Sequence, residues 1–121
     1  MQAELTVRRA RRDDFSRVRS LLGAPAAASR ADRKRFRNLV STVREDLYLA
    51  VPDRDGPLAG LAVIAYVRGL DASTAIVREL RGTSEATSLL LACARKRAAA
   101  RGCAWLEVQG EGRIDRRPVT P

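Results

Sequence analysis

The alternation of apolar and polar residues begins at once. Glu4-Leu5-Thr6-Val7-Arg8 swaps character at each step, the mark of a half-buried strand. After Arg11 and Arg12, either Asp13 or Asp14 can cap a helix, and Phe15, Val18, Leu21 and Leu22 then recur at helical spacing until Gly23. Ala24 to Ala31, with Pro25, reads as a small-residue connection. A second amphipathic helix starts near Asp32 and aligns Phe36, Leu39, Val40 and Val43. Tyr48-Leu49-Ala50-Val51 is a short apolar strand, and Pro52 to Pro57 is dense in turn residues.

Leu58 to Val67 is continuous and apolar, which predicts the central strand of a sheet. Arg68-Gly69-Leu70-Asp71 turns the chain into a strand from Thr74 to Leu80. The pattern then becomes helical from about Ser84 to Arg101. Ala86, Leu89, Leu90, Cys93 and Ala94 form its inner face, cations load its C-terminal end, and Gly102 is the stop. Leu89, Leu90 and Val63 are expected to be buried together. Cys103 to Val108 is a further strand. Gln109 to Gly112 reads as flexible, and Arg113 to Pro121 has little apolar content. The expected organisation is one domain over residues 1–108, then a flexible or partner-covering tail over 109–121.

Composition narrows the function classes. At 121 residues the chain suits a single core, and with 4% aromatics that core must be aliphatic. No apolar run is long enough to span a bilayer, so no membrane role is expected. The N-terminus lacks a signal pattern, which points to a cytoplasmic protein. There is no histidine, and Cys93 and Cys103 form no Cys-x-x-Cys pair, which argues against a metal site and against histidine-assisted nucleophiles. Both cysteines read as small hydrophobes. The formal charge of +9, nearly all arginine, can attract nucleic acid, an anionic cofactor or an acidic protein surface. Without interleaved aromatics it reads first as a solvated face, so nucleic acid is disfavoured.

Arg81-Gly82-Thr83-Ser84-Glu85-Ala86 lies where a strand turns into the long helix. Free backbone N–H groups of a first helical turn, the helix dipole and the Arg81 charge together make a natural phosphate site.

The spacing Arg-x-x-Ser-x-Ala resembles the acyl-CoA pyrophosphate loop of the GNAT N-acetyltransferase superfamily, in which the motif is Gln/Arg-x-x-Gly-x-Gly/Ala. The order of elements from residue 4 to about 108 is similar too, as are the phrases Leu5 to Asp14, Asp55 to Ala62 and Arg97 to Leu106. The resemblance implies an α/β (α+β) fold: a mixed, mostly antiparallel sheet flanked by helices, lacking the family's usual final hairpin. It implies acetyl-CoA as co-substrate, held by Arg81, Gly82, Thr83, Ser84, Glu85 and Ala86, and an amine of unknown identity as acceptor. Glu79, on the fourth strand, is the expected catalytic base; its alternative is a solvent-facing carboxylate paired with an arginine.

Four departures make this a degenerate loop on a shortened member. Ser84 replaces a glycine, Glu85 adds a negative charge, and Leu80 runs directly into Arg81, which shortens the pantetheine-binding edge. Gly112 and Pro118-Val119 replace the family's asparagine and Phe-Tyr pair, so the tyrosine that protonates the departing thiolate is absent. Two readings stay open: an acetyl-CoA-dependent N-acetyltransferase, or a non-catalytic binding or regulatory module, dimeric through an open sheet edge.

Overall fold

In the computed structural model, residues 4–25, 27–52, 56–110 and 112–119 are described. Their strands are β1 (Leu5–Arg9), β2 (Glu45–Pro52), β3 (Gly60–Arg68), β4 (Ser73–Gly82), β5 (Trp105–Gly110) and β6 (Arg113–Pro118). Their helices are α1 (Phe15–Leu21), α2 (Arg30–Ser41) and α3 (Ser84–Ala100). The sheet runs β1-β2-β3-β4-β5-β6, antiparallel throughout except for the parallel pair β4–β5. The expected mixed, mostly antiparallel sheet flanked by helices is therefore present. The turn expected over 52–57 falls largely on 53–55, outside the described residues.

The sheet separates two cores. On one face α3 packs over Tyr48, Ala50, Ala62, Ile64, Ala75 and Val77. On the other, α1 and α2 cover Leu47, Leu49, Leu61 and Val63 with Val18 and Phe36. Val63 thus faces α2, while Leu90 lies fully buried on the α3 side, so the expected burial of Val63 with Leu89 and Leu90 does not occur. Alternation along β3 sends neighbouring residues to opposite faces. Leu89 itself is exposed, because the buried stripe of α3 is the narrow i, i+4 row Ala86, Leu90, Ala94 and Ala98. Small residues let that helix approach closely. A Cβ at Gly60 would stand 2.9 Å from the Ala86 Cβ and 3.1 Å from Leu90 Cδ1.

Several boundaries differ from the sequence reading for identifiable reasons. The α2 helix starts at Arg30, because Ser29 is its N-cap and Asp32 closes a capping box from inside the first turn. It ends at Ser41, leaving Val43 outside it and exposed. The β2 strand begins before Tyr48, at Glu45, since Asp46 is a buried member of the sheet and not a loop residue. Its carboxylate is surrounded by Tyr66, Arg9 and Arg97.

Residues 113–118 also correct the expectation of a flexible tail. They form β6, antiparallel to β5 from Trp105–Pro118 to Gly110–Arg113, with Gly112 at positive φ in the turn. All six residues are exposed, so burial left no alternation to read; backbone pairing holds the strand.

Candidate functional site

The parallel ladder of β4 and β5 runs only from Thr74–Trp105 to Val77–Val108, although both strands continue beyond it. The cause lies on the other side of β4. Its register with β3 steps from Ile64–Val77 to Val63–Glu79, so Arg78 is an extra residue in a β-bulge. A bulge bends its strand and increases local twist, which carries β4 away from β5.

The bulge also breaks the alternation of side chains. Val77 belongs to the α3 core, yet Arg78 and Glu79, consecutive in sequence, line one open groove of about 620 Å³ on the α2 side. Arg35 and Asn38 of α2, Thr42 just after it, Glu45 of β2 and Gln109 of β5 complete its polar lining. Arg78 Nη1 donates to Glu45 Oε1 at 2.9 Å, so those two charges compensate each other. Among the described residues Glu79 makes no salt bridge. The arginine pairing offered as the alternative for Glu79 is not seen among the described residues; the neighbouring Arg78 pairs with Glu45 instead.

Nothing in the sequence alone brings Arg78, Glu45, Arg35, Asn38 and Gln109 together at one site. A signal for the bulge does exist in the sequence. Inward residues of β4 fall at Ala75, Val77 and then Leu80, a three-residue step where a regular strand takes two.

The segment Arg81 to Ala86 is a junction more than a loop. Arg81 and Gly82 are the last residues of β4, opposite Leu61 and Gly60. Gly82 has φ +131°, and a Cβ there would fall 2.5 Å from Gly60 Cα. Thr83 N–H donates to the Ala59 carbonyl at 3.1 Å, which pins the turn onto β3. Thr83 is the N-cap of α3, and its hydroxyl accepts from Ala86 N–H at 3.1 Å. Ala86 is fully buried. The Ser84 and Glu85 amides belong to the first turn, where N–H groups lack intrahelical acceptors. Glu85 is exposed beside them, and Arg81, also exposed, follows Glu79 by two on the α2 side of β4.

Burial pushes the Cys93 and Cys103 thiols up, consistent with unreactive hydrophobes. Among the described residues no three His, Cys, Asp or Glu side chains gather to hold a metal ion, and no helix is long and apolar enough to cross a membrane.

No protein-family model matches the sequence, and no curated protein matches it. Solved structures do match the fold. A transcriptional regulator from Bacillus halodurans superposes with a TM-score of 0.76 at 17% identity, covering 89% of this chain and 83% of that one. Glucosamine-6-phosphate N-acetyltransferase from Arabidopsis thaliana gives 0.76 at 11% identity, again over 89% and 83%. A GNAT family acetyltransferase from Staphylococcus aureus gives 0.71 at 16%, over 91% and 88%. This chain has the GNAT acetyltransferase fold. Within that GNAT frame, β4 passes into α3 through Thr83 alone, and only β6 follows β5 among the described residues.

Proposed function

We propose that this GNAT-fold chain is an acetyl-CoA-dependent N-acetyltransferase acting on an amine. The observation that carries the reading is the parting of β4 and β5 beyond Val77–Val108, with Glu79 set by the bulge into the groove beside it. The thioester arm lies along the parting strands, and the Ser84 and Glu85 amides at the end of β4 meet the diphosphate. Those donors suit a phosphate, while the Glu85 carboxylate opposes one. The acceptor ammonium first gives a proton to Glu79, which passes it to water in the open groove. The neutral amine then attacks the thioester carbonyl carbon, a second proton passes to Glu79, and the carbon–sulfur bond breaks. The released thiolate takes a proton from water, since the groove is open.

A second reading is favoured by one junction. Thr83 already occupies the Ala86 N–H, and Glu85 stands in the first turn, so the loop serves as an ordinary helix cap. The chain is then a non-catalytic binding module, dimeric through a sheet edge. Calorimetric titration with acetyl-CoA, followed by thiol release with a panel of amines, separates the two. The enzyme reading expects binding, turnover, and a loss of about 10²–10⁴-fold in kcat for Glu79→Gln with acetyl-CoA affinity retained. Absence of acetyl-CoA binding favours the module.

A further inference from the structure

A second, smaller cavity of about 160 Å³ adjoins the Glu79 groove. The two share Arg35, Leu39, Val63 and Glu79 in their linings, so one occupant can reach into both. The inner walls of the small cavity are apolar, with Phe15, Val18, Leu22, Phe36 and Leu39 from α1 and α2 and the segment after α1. Phe15 and Phe36 brace each other, their ring centroids 5.2 Å apart and tilted by 51°. The Arg33 guanidinium lies 5.3 Å from the Phe15 ring centroid and backs that wall.

Size limits what enters. Pockets for drug-sized ligands run to roughly 300–1,000 Å³, whereas an apolar cavity of roughly 150 Å³ is filled by a single benzene ring. The cavity therefore takes one branched aliphatic or aromatic side chain, not a whole cofactor.

Charge limits it further. Arg78 is compensated by Glu45. Asp32 is shared between Arg19 at 3.5 Å and Arg35 at 3.7 Å, and also caps α2 through Ser29 N–H. Two guanidiniums thus divide one carboxylate already in use, and Arg35 is 79% exposed. Glu79 has no cationic partner among the described residues. The uncompensated pair at the mouth is one guanidinium and one carboxylate, the complement of a zwitterion.

We infer that the acceptor is a free α-amino acid with an apolar side chain of leucine to phenylalanine size. Its side chain fills the α1–α2 cavity, its carboxylate meets Arg35, and its ammonium group meets Glu79. This rests on the acetyl-transfer reading for the amine's fate, but its binding half is tested without any acetyl donor. A simple alkylamine leaves Arg35 idle. An acidic amino acid leaves the apolar cavity to water, and a polyamine is opposed by the surrounding arginines.

The test is equilibrium binding of L-leucine, L-leucinamide and L-aspartate to the full chain, by ligand-observed NMR or calorimetry, with acetyl-CoA titrated separately. L-Leucine is expected to bind, with L-leucinamide at least tenfold weaker and L-aspartate weaker still. Arg35→Ala should weaken L-leucine about tenfold and leave L-leucinamide unchanged, while Glu79→Gln should weaken both. Arg35 is exposed, and circular dichroism of its variant checks that the fold is kept. Equal binding of leucine and leucinamide overturns the inference. So does binding of aspartate as tight as leucine, or no binding of leucine. Leucine binding without acetyl-CoA binding retains the amino-acid site and retires the transferase.

Discussion

The Tyr66 hydroxyl donates to Asp46 Oδ2 at 2.5 Å, inside the face of the sheet covered by α3. Arg9 of β1 contacts the other carboxylate oxygen, and Arg97 of α3 stands 3.7 Å from Oδ2. One buried carboxylate thereby joins β1, β2, β3 and α3. A buried charge holds its place only where partners replace the water it has lost. Tyr66→Phe removes the only hydroxyl of that set and leaves Oδ2 under-satisfied. The expected loss is about 1–3 kcal/mol in chemical denaturation. An unchanged urea midpoint would show that water substitutes for the phenol.

Acid should act on the two buried carboxylates, Asp14 and Asp46. The Asp14 carboxyl is held below the usual carboxylate range, first by hydrogen bonds from Arg8 at 2.8 and 2.9 Å, and also by Arg11 N–H. Burial pushes the Asp46 carboxyl up, but Tyr66 and Arg9 together outweigh it and hold it low. A carboxylate with a depressed folded value contributes stability that is complete above its unfolded value, about 3.9, and is lost as pH falls through the folded value. Stability should therefore be flat near neutrality and fall below about pH 4. Asp14→Asn should lower the urea midpoint at pH 7 and flatten its decline in acid. A parallel decline in the variant would place the acid sensitivity elsewhere.

Much of this architecture is legible in the apolar pattern, and what is missing shares a cause. Burial on both faces makes β3 a continuous apolar run, and the helical pattern with its glycine stop places the ends of α3 within a residue. Asp46 hides the start of β2, because a polar residue there signals a loop until its partners are known. The β6 strand has six exposed residues and therefore no periodicity to detect. Which face Val63 takes depends on the register of the whole sheet, which no local window contains. At the candidate site, Glu79 is accessible to sequence reasoning, whereas its neighbours Arg35, Asn38, Glu45 and Gln109 come from three other elements and meet only in the fold. The Arg81–Ala86 motif is visible, yet it conceals that Thr83 serves the helix and that Gly82 serves the packing on Gly60.

Gly82 offers a test of that junction. Its φ of +131° is strained for any L side chain, and a Cβ would press on Gly60 and on the Ala59 carbonyl oxygen. Gly82→Ala should cost about 3 kcal/mol, combining backbone strain with overpacking. Gly102→Ala is the comparison. There φ is +72°, nothing stands within 4 Å of the added carbon, and the cost should be only about 1 kcal/mol. Thermal or urea denaturation of both variants gives the contrast. Equal losses would mean that close approach at Gly60 does not constrain the start of α3.

The cofactor question turns on two exposed charges of opposite sign, Arg81 at the end of β4 and Glu85 in the first turn of α3. A diphosphate at the Ser84 and Glu85 amides would feel the helix dipole in its favour and the Glu85 carboxylate against it. Charges within the first turn are worth at most about 1 kcal/mol when solvent-exposed, or about fivefold in affinity. Glu85→Gln should therefore tighten CoA by up to about fivefold, and Arg81→Ala should weaken it by a similar factor. Both effects should shrink between low and high salt, because exposed charges are screened over a Debye length of about 10 Å at 0.1 M. Calorimetry with CoA and with dephospho-CoA at two salt concentrations checks the scheme. Opposite shifts in the two variants, equal for both ligands, would locate the diphosphate at α3. If CoA binds wild type and neither variant changes its affinity, the diphosphate lies elsewhere on the sheet and the start of α3 is a helix cap only.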